Sequence, residues 1–210
     1  MAYNNGLCSA RSPNVMVSIE TFQIIRERYG HCASWAVWAP AGKRPKDNIA
    51  DIAVLDPKAN VGLLDTLNTG FVFLGLNISR KVERTFGNFH DPRAMATDFK
   101  IRAALSGTRF RGSYMTDIIK DFEQKASGKL MRYLNANPVF EKHNIAALRQ
   151  ELLDLRVKQP TIVPFGKDAK RIAKRNLASE YEIVGIPHYA NYMSCEKYRA
   201  AVAANLAALR

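Results

Sequence analysis

The chain predicts an α/β fold, a three-layer α/β/α sandwich around a short, mainly parallel four-stranded sheet. Four apolar segments stop at a polar residue or a turn: 71–76 before Asn77, 113–116 before Asp117, 161–165 before Gly166 and 181–187 before His188. Segment 71–76 lacks polar alternation, the mark of a strand covered on both faces. Helix-spaced apolar residues separate the segments, so strands alternate with helices and right-handed crossovers are expected. In such folds ligands sit outside the carboxyl ends of the strands, where residues distant in sequence converge. Asn77, Asp117 and His188 are therefore the candidate site.

Taken in order, Ser18 caps a first helix bearing Phe22, Ile25 and Tyr29, and Gly30 stands where a left-handed C-terminal residue belongs. Trp35 and Trp38 read as packing residues ahead of a surface loop, 40–48, rich in Pro, Gly and Lys. After the first strand, Asp91 and Pro92 form the N-cap and first position of a helix reaching about Leu105. A loop, 106–112, carries Arg109, Phe110 and Arg111 into the second strand. Pro138 opens a helix with Ile145, Leu148, Leu152 and Leu155 on one side, and Pro160 precedes the third strand. Gly166 opens a helix with Ala169, Ile172 and Ala173 inward. Beyond the fourth strand, Ser194 caps a last helix with Tyr198, Val202, Leu206 and Leu209.

At 210 residues the chain holds one sizeable core and is short for two, so residues 1–210 are read as a single domain and the protein as a monomer. Lys and Arg number 31 against 19 Asp and Glu, a net +12, which favours a polyanionic partner: nucleic acid first, a membrane surface second. Residues 1–16 hold no apolar core of secretory length, and the longest apolar run, 71–76, is far below a membrane span. A soluble, intracellular and cytoplasmic protein is expected. Cys8, Cys32 and Cys195 form no close pair and His31, His90, His143 and His188 show no ligand spacing, so no metal, iron-sulfur cluster or other cofactor is expected.

Each candidate has a plainer use as well. Asn77, in the turn 75–79, can orient a water or simply stabilise the turn. Asp117, flanked by Ile118 and Ile119, is a carboxylate in an apolar stretch that needs partners, and a helix cap or a salt bridge would supply them. His188, before the bulky run 189–193, can set a neutral imidazole against a developing anion or serve as a structural histidine. Lys167, Lys170, Arg171, Lys174 and Arg175 recur at helical offsets on one face, suited to a phosphate backbone or to plain solvation. Arg80, Lys81 and Arg84 add positive charge beside the first turn.

In combination these segments resemble the uracil-DNA glycosylase superfamily, above all its mismatch-specific and single-strand-selective branches. Gly75-Leu76-Asn77 resembles the start of the first motif, 114–120 resembles a strand of tyrosine, threonine, asparagine, aliphatics and lysine, and His188 stands where the second motif begins. Order and spacing agree from Phe71 to Arg199. The resemblance implies a flipped-base mechanism without a cofactor. Asn77 would position the attacking water and His188 would hydrogen-bond the departing base. Gly75, Leu76, Ile78, Phe89 and Asp117 would bind the base, with Phe86 the other stacking candidate. Arg80, Lys81, Lys167, Lys170, Arg171 and Lys174 would hold the DNA, and Tyr192 or Met193 would act as wedge.

The chain departs from the family pattern in three places: Ile78 replaces a proline, Tyr189-Ala190 replaces a proline-serine pair, and Asp117 replaces a base-reading asparagine. An ionised carboxylate accepts the N3–H of uracil but cannot donate to O4 unless desolvation keeps it protonated. The expected activity is thus a monofunctional DNA glycosylase on uracil and other deaminated bases. The alternatives are a non-catalytic binder of damaged DNA and an enzyme acting on free nucleosides.

Overall fold

A computed structural model describes residues 16–120 and 122–209. Three strands run parallel at its centre: Asn68–Asn77 (β2) lies between Ser113–Ile119 (β3) and Thr161–Pro164 (β4). A two-residue strand, Ser34–Trp35 (β1), adds antiparallel to the outer side of β3, giving the order β1-β3-β2-β4. The register sets Gly75 beside Asp117 and Asn77 beside Ile119, so the candidate residues come to one end of the sheet.

Side-chain alternation along the central strands divides the core in two. Val72, Leu74, Leu76, Tyr114 and Ile118 point into a core shared with Ile19–Tyr29 (α1), Ser127–Ala136 (α4), Pro138–Asp154 (α5) and Gly166–Leu177 (α6). Phe73 and Met115 point the other way, into a core shared with Phe99–Leu105 (α3) and Cys195–Leu206 (α7). A short helix, Leu63–Thr66 (α2), leads into β2. Both faces of β2 are thereby dry, which is why 71–76 carries no polar residue. The expected α/β class is observed.

Local chemistry accounts for the helix starts. Ser18 Oγ accepts the Thr21 N–H at 3.1 Å and Ser194 Oγ the Lys197 N–H at 3.2 Å, and Pro138 occupies the first turn of α5.

Several expectations are corrected. Gly30 is right-handed, at φ −59°, and a side chain there is refused by packing, because a Cβ would meet the Arg26 carbonyl at 2.4 Å. The helix expected from Asp91 begins only at Phe99: the Asp91 carboxylate accepts the Arg93 N–H at 2.9 Å and grips its guanidinium, closing a local turn instead. Segment 181–187 is not a continuous strand but touches the outer edge of β4 through two isolated parallel bridges, Ile162 with Ile183 and Phe165 with Ile186. The fourth strand of the sheet is β1, too short to leave a periodic signal. Helix α4 was also unforeseen, since Ala126 in its N-cap position makes no side-chain cap. Cys8 lies outside the described residues; Cys32 is buried and Cys195 half-buried.

Candidate active site

A cleft of about 1360 Å³ opens at the carboxyl ends of β2, β3 and β4. Gly75, Leu76 and Asn77 reach it from β2, Asp117 from β3, and Gly166 and His188 from the segments that follow β4 and the edge bridges. Phe89 forms part of its wall, and Arg80, Lys81, Lys167, Lys170 and Met193 also border it. The three side chains nominated from the sequence thus share one cavity.

Asp117 is 2 % exposed, and burial pushes its carboxyl up to about 7, opposed by a hydrogen bond from Asn88 and by the charge of Lys120. Asn88 Nδ2 donates to Asp117 Oδ2 at 2.7 Å and to the Cys32 carbonyl at 2.7 Å, while its Oδ1 accepts the Phe89 N–H at 3.1 Å. That amide couples the carboxyl to Phe89, which sits at φ +62°, a left-handed conformation costly for an aromatic residue. The Phe89 ring packs against Phe165 at 5.9 Å and Tyr189 at 6.4 Å between centroids. Asn88 was not foreseen; its only signal was an amide next to Gly87 in a turn-forming run.

Lys120, the cation next to Asp117, is itself held elsewhere. Its Nζ pairs with the fully buried Glu151 Oε2 at 2.5 Å and donates to Thr116 Oγ1 at 2.7 Å, while the Tyr114 hydroxyl donates to Glu151 Oε1 at 2.6 Å. Among the described residues Asp117 therefore has no salt bridge of its own, and desolvation governs its proton.

His188 accepts the Ala190 N–H on Nδ1 at 3.0 Å, which assigns the ring proton to Nε2. Burial lowers its pKa below the ordinary histidine value, so the imidazole is neutral with one N–H to donate. Its ring stacks on Tyr189 at 4.4 Å. Gly166, at φ +83°, is needed here twice over: the conformation suits glycine, and a Cβ would stand 3.0 Å from His188 Cβ.

Asn77 is engaged by its nitrogen: Nδ2 donates to the carbonyls of Ile78 at 2.8 Å, Phe122 at 2.8 Å and Gln124 at 2.9 Å. The turn-stabilising use is realised, and any work on a water falls to Oδ1. Asp98, at the N-cap position of α3, makes no cap; its Oδ2 accepts the Asp91 N–H at 2.8 Å, and burial pushes it up to about 6 at the cleft wall. Lys100, 7 % exposed, donates from Nζ to the carbonyls of Asn191 at 3.1 Å and Met193 at 2.8 Å, tying the loop after His188 to α3.

Five nominated residues stand apart from the cleft. Ile78 does not line it; its carbonyl serves the Asn77 amide and the Gln124 N–H. Arg171 and Lys174 border a shallow depression along α6 with Lys167, Lys170 and Arg175. Arg171 there pairs with Asp168 at 2.9 Å and Arg175 with Glu141, so the stripe is partly neutralised. Tyr192 is fully exposed beyond the rim. Phe86 packs in the first core, 5.5 Å from Phe22, and does not line the cleft, whereas Phe89 does.

No family model, curated protein or solved structure matches the chain. Among the described residues no cluster of three or more His, Cys, Asp or Glu is arranged to hold a metal ion, and no helix is long and apolar enough to cross a membrane.

Proposed function

We propose that this chain is a monofunctional DNA glycosylase that hydrolyses the N-glycosidic bond of uracil, and of other deaminated bases, in base excision repair. The observation that carries the reading is the meeting of Asn77, Asp117 and a neutral, Nε2-protonated His188 in one cleft bordered by Arg80, Lys81, Lys167 and Lys170. A nucleotide everted into that cleft stacks its base on Phe89. Asp117, with a carboxyl raised to about 7, is protonated in much of the population at neutral pH, so it can donate to O4 as well as accept from N3–H. The aspartate thereby does the work of an amide.

With uracil, the C1′–N1 bond breaks with its electron pair leaving on the base, and His188 Nε2–H donates to the base oxygen on which the charge grows. One well-placed donor of this kind is worth about 3 kcal/mol. Water, held by Asn77 Oδ1, adds its oxygen to the cationic C1′, and its proton passes to the departing base.

Single- and double-stranded oligonucleotides carrying one uracil, hypoxanthine or xanthine test the reading: incubation with the protein and heating in alkali should break the strand at the modified site. Intact strands for all three bases would reject it. A second reading, binding of damaged DNA without turnover, is favoured by one observation: the Asn77 nitrogen is held by three carbonyls, as in a purely structural residue. Tight binding that weakens with salt and no cleavage would select it.

A further inference from the structure

Two large apolar side chains stand in water around the cleft, Met95 on its lining and Tyr192 beyond its rim. Met95 is 87 % exposed and lines the cleft; Tyr192 is fully exposed on the loop whose neighbours Asn191 and Met193 line it. Their segments are far apart in sequence but fastened to the same turn of α3. Asp98 takes the Asp91 N–H, at the head of the segment carrying Met95, and Lys100 holds the carbonyls on either side of Tyr192. The segment of Met95 is stiffened further by Arg93, whose guanidinium is clamped on Asp91 at 2.6 to 2.9 Å. An exposed methionine on a held segment gains nothing in the free protein; it gains when an apolar space receives it. Cations outnumber the acids Glu83, Asp91, Asp98, Asp117 and Asp168 along the same cleft, which favours a polyanion as what arrives.

We infer that Met95 is a DNA-inserting residue that acts beside Tyr192, and that the substrate is duplex DNA. This rests on the glycosylase reading above. Everting one nucleotide from a duplex vacates a place in one stack and leaves the base opposite unpaired and easily unstacked, so an apolar side chain can wedge into each strand. A single strand leaves no orphaned partner and gives a second side chain nothing to fill.

The test uses binding, so it does not depend on turnover. Duplex and single-stranded oligonucleotides carry a non-cleavable abasic analogue, with 2-aminopurine opposite it in the duplex, and fluorescence reports unstacking. Met95→Ala should weaken duplex binding about tenfold or more, the loss expected for one buried methionine side chain, and reduce the fluorescence rise. Single-strand affinity, the salt slope and the melting temperature should stay unchanged, and Met95→Leu should restore the duplex values. Equal losses on both substrates, or none on either, would overturn the proposal, as would loss of binding to anionic vesicles with DNA binding intact. If no deaminated base is cleaved yet Met95→Ala still discriminates duplex from single strand, the glycosylase reading falls while the insertion role stands. If uracil is cleaved and Met95→Ala changes nothing, the insertion role alone falls.

Discussion

Asp117 Oδ1 occupies the space that a β-carbon on residue 75 would need: an ideal Cβ on Gly75 would lie 2.0 Å from it. The two residues are register partners on neighbouring strands, so the carboxyl lies across the backbone of β2 rather than above an open floor. Gly75 leaves room for the Asp117 carboxyl, the group that would meet the base on the glycosylase reading.

Gly75→Ala should therefore cost about 1–3 kcal/mol, as overpacking does in a filled interior. Asp117→Ala in the same chain should recover most of that loss. Denaturant unfolding of the four members of this cycle measures it, and additive effects would contradict the contact.

The Asp117 proton makes stability depend on pH. The carboxyl is raised from 3.8 to about 7 in the folded chain, so the native state holds a proton that the unfolded state gives up first. That contribution is complete below about pH 4 and is lost as pH rises through about 7; its size is on the order of 4 kcal/mol. Asp117→Asn should flatten the unfolding free energy between pH 4 and 8, with a smaller slope of the same sign remaining from Asp98, raised to about 6. Uracil cleavage should likewise fall above pH 7 in the native chain and not in Asp117→Asn.

His188→Ala should lower kcat about a hundredfold with little change in affinity for uracil DNA, because a donor to the departing base acts mostly in the transition state. Single-turnover rates beside equilibrium binding separate the two quantities. Burial lowers its pKa, so any inflection that this residue adds to the rate should fall below the ordinary histidine value.

Lys167→Ala with Lys170→Ala should weaken DNA binding and make its salt dependence shallower by about two in the logarithmic slope, near 0.9 for each phosphate that is no longer neutralised. Arg171→Ala should change the slope less, because Asp168 already holds that guanidinium. Titrations at four salt concentrations give the comparison.

Asn77→Ala should lower stability and cleavage together, since three carbonyls lose their donor as the water loses its acceptor. Thermal unfolding beside single-turnover rates checks this; an unchanged melting temperature would mean that the amide does not hold the turn.

The parts of the fold legible in the sequence are those with a period or a punctuating residue. Segment 71–76 reads as a doubly covered strand because Val72 and Phe73 must point into different cores, and α5 and α7 announce themselves through Pro138 and Ser194. What stays hidden is set by contacts across the chain. Nothing local in Asn88 indicates Asp117 twenty-nine residues away, and Lys100 looks like any surface lysine until two carbonyls from the 191–193 loop come within reach. Asp91 misled for the opposite reason: its signal was a true local preference, spent on a turn with Arg93 instead of on a helix.

The bridges outside β4 also bear on how the chain behaves at high concentration. Ile162 and Gly166 donate to the carbonyls of Glu182 and Ile186, and Val184 and Ile186 donate back to Ile162 and Pro164, which occupies the backbone along that flank. The opposite flank ends in β1, only two residues long. Among the described residues, one margin of β4 is thus paired and the other margin of the sheet carries a strand of only two residues, and both features limit templated pairing with a neighbouring molecule.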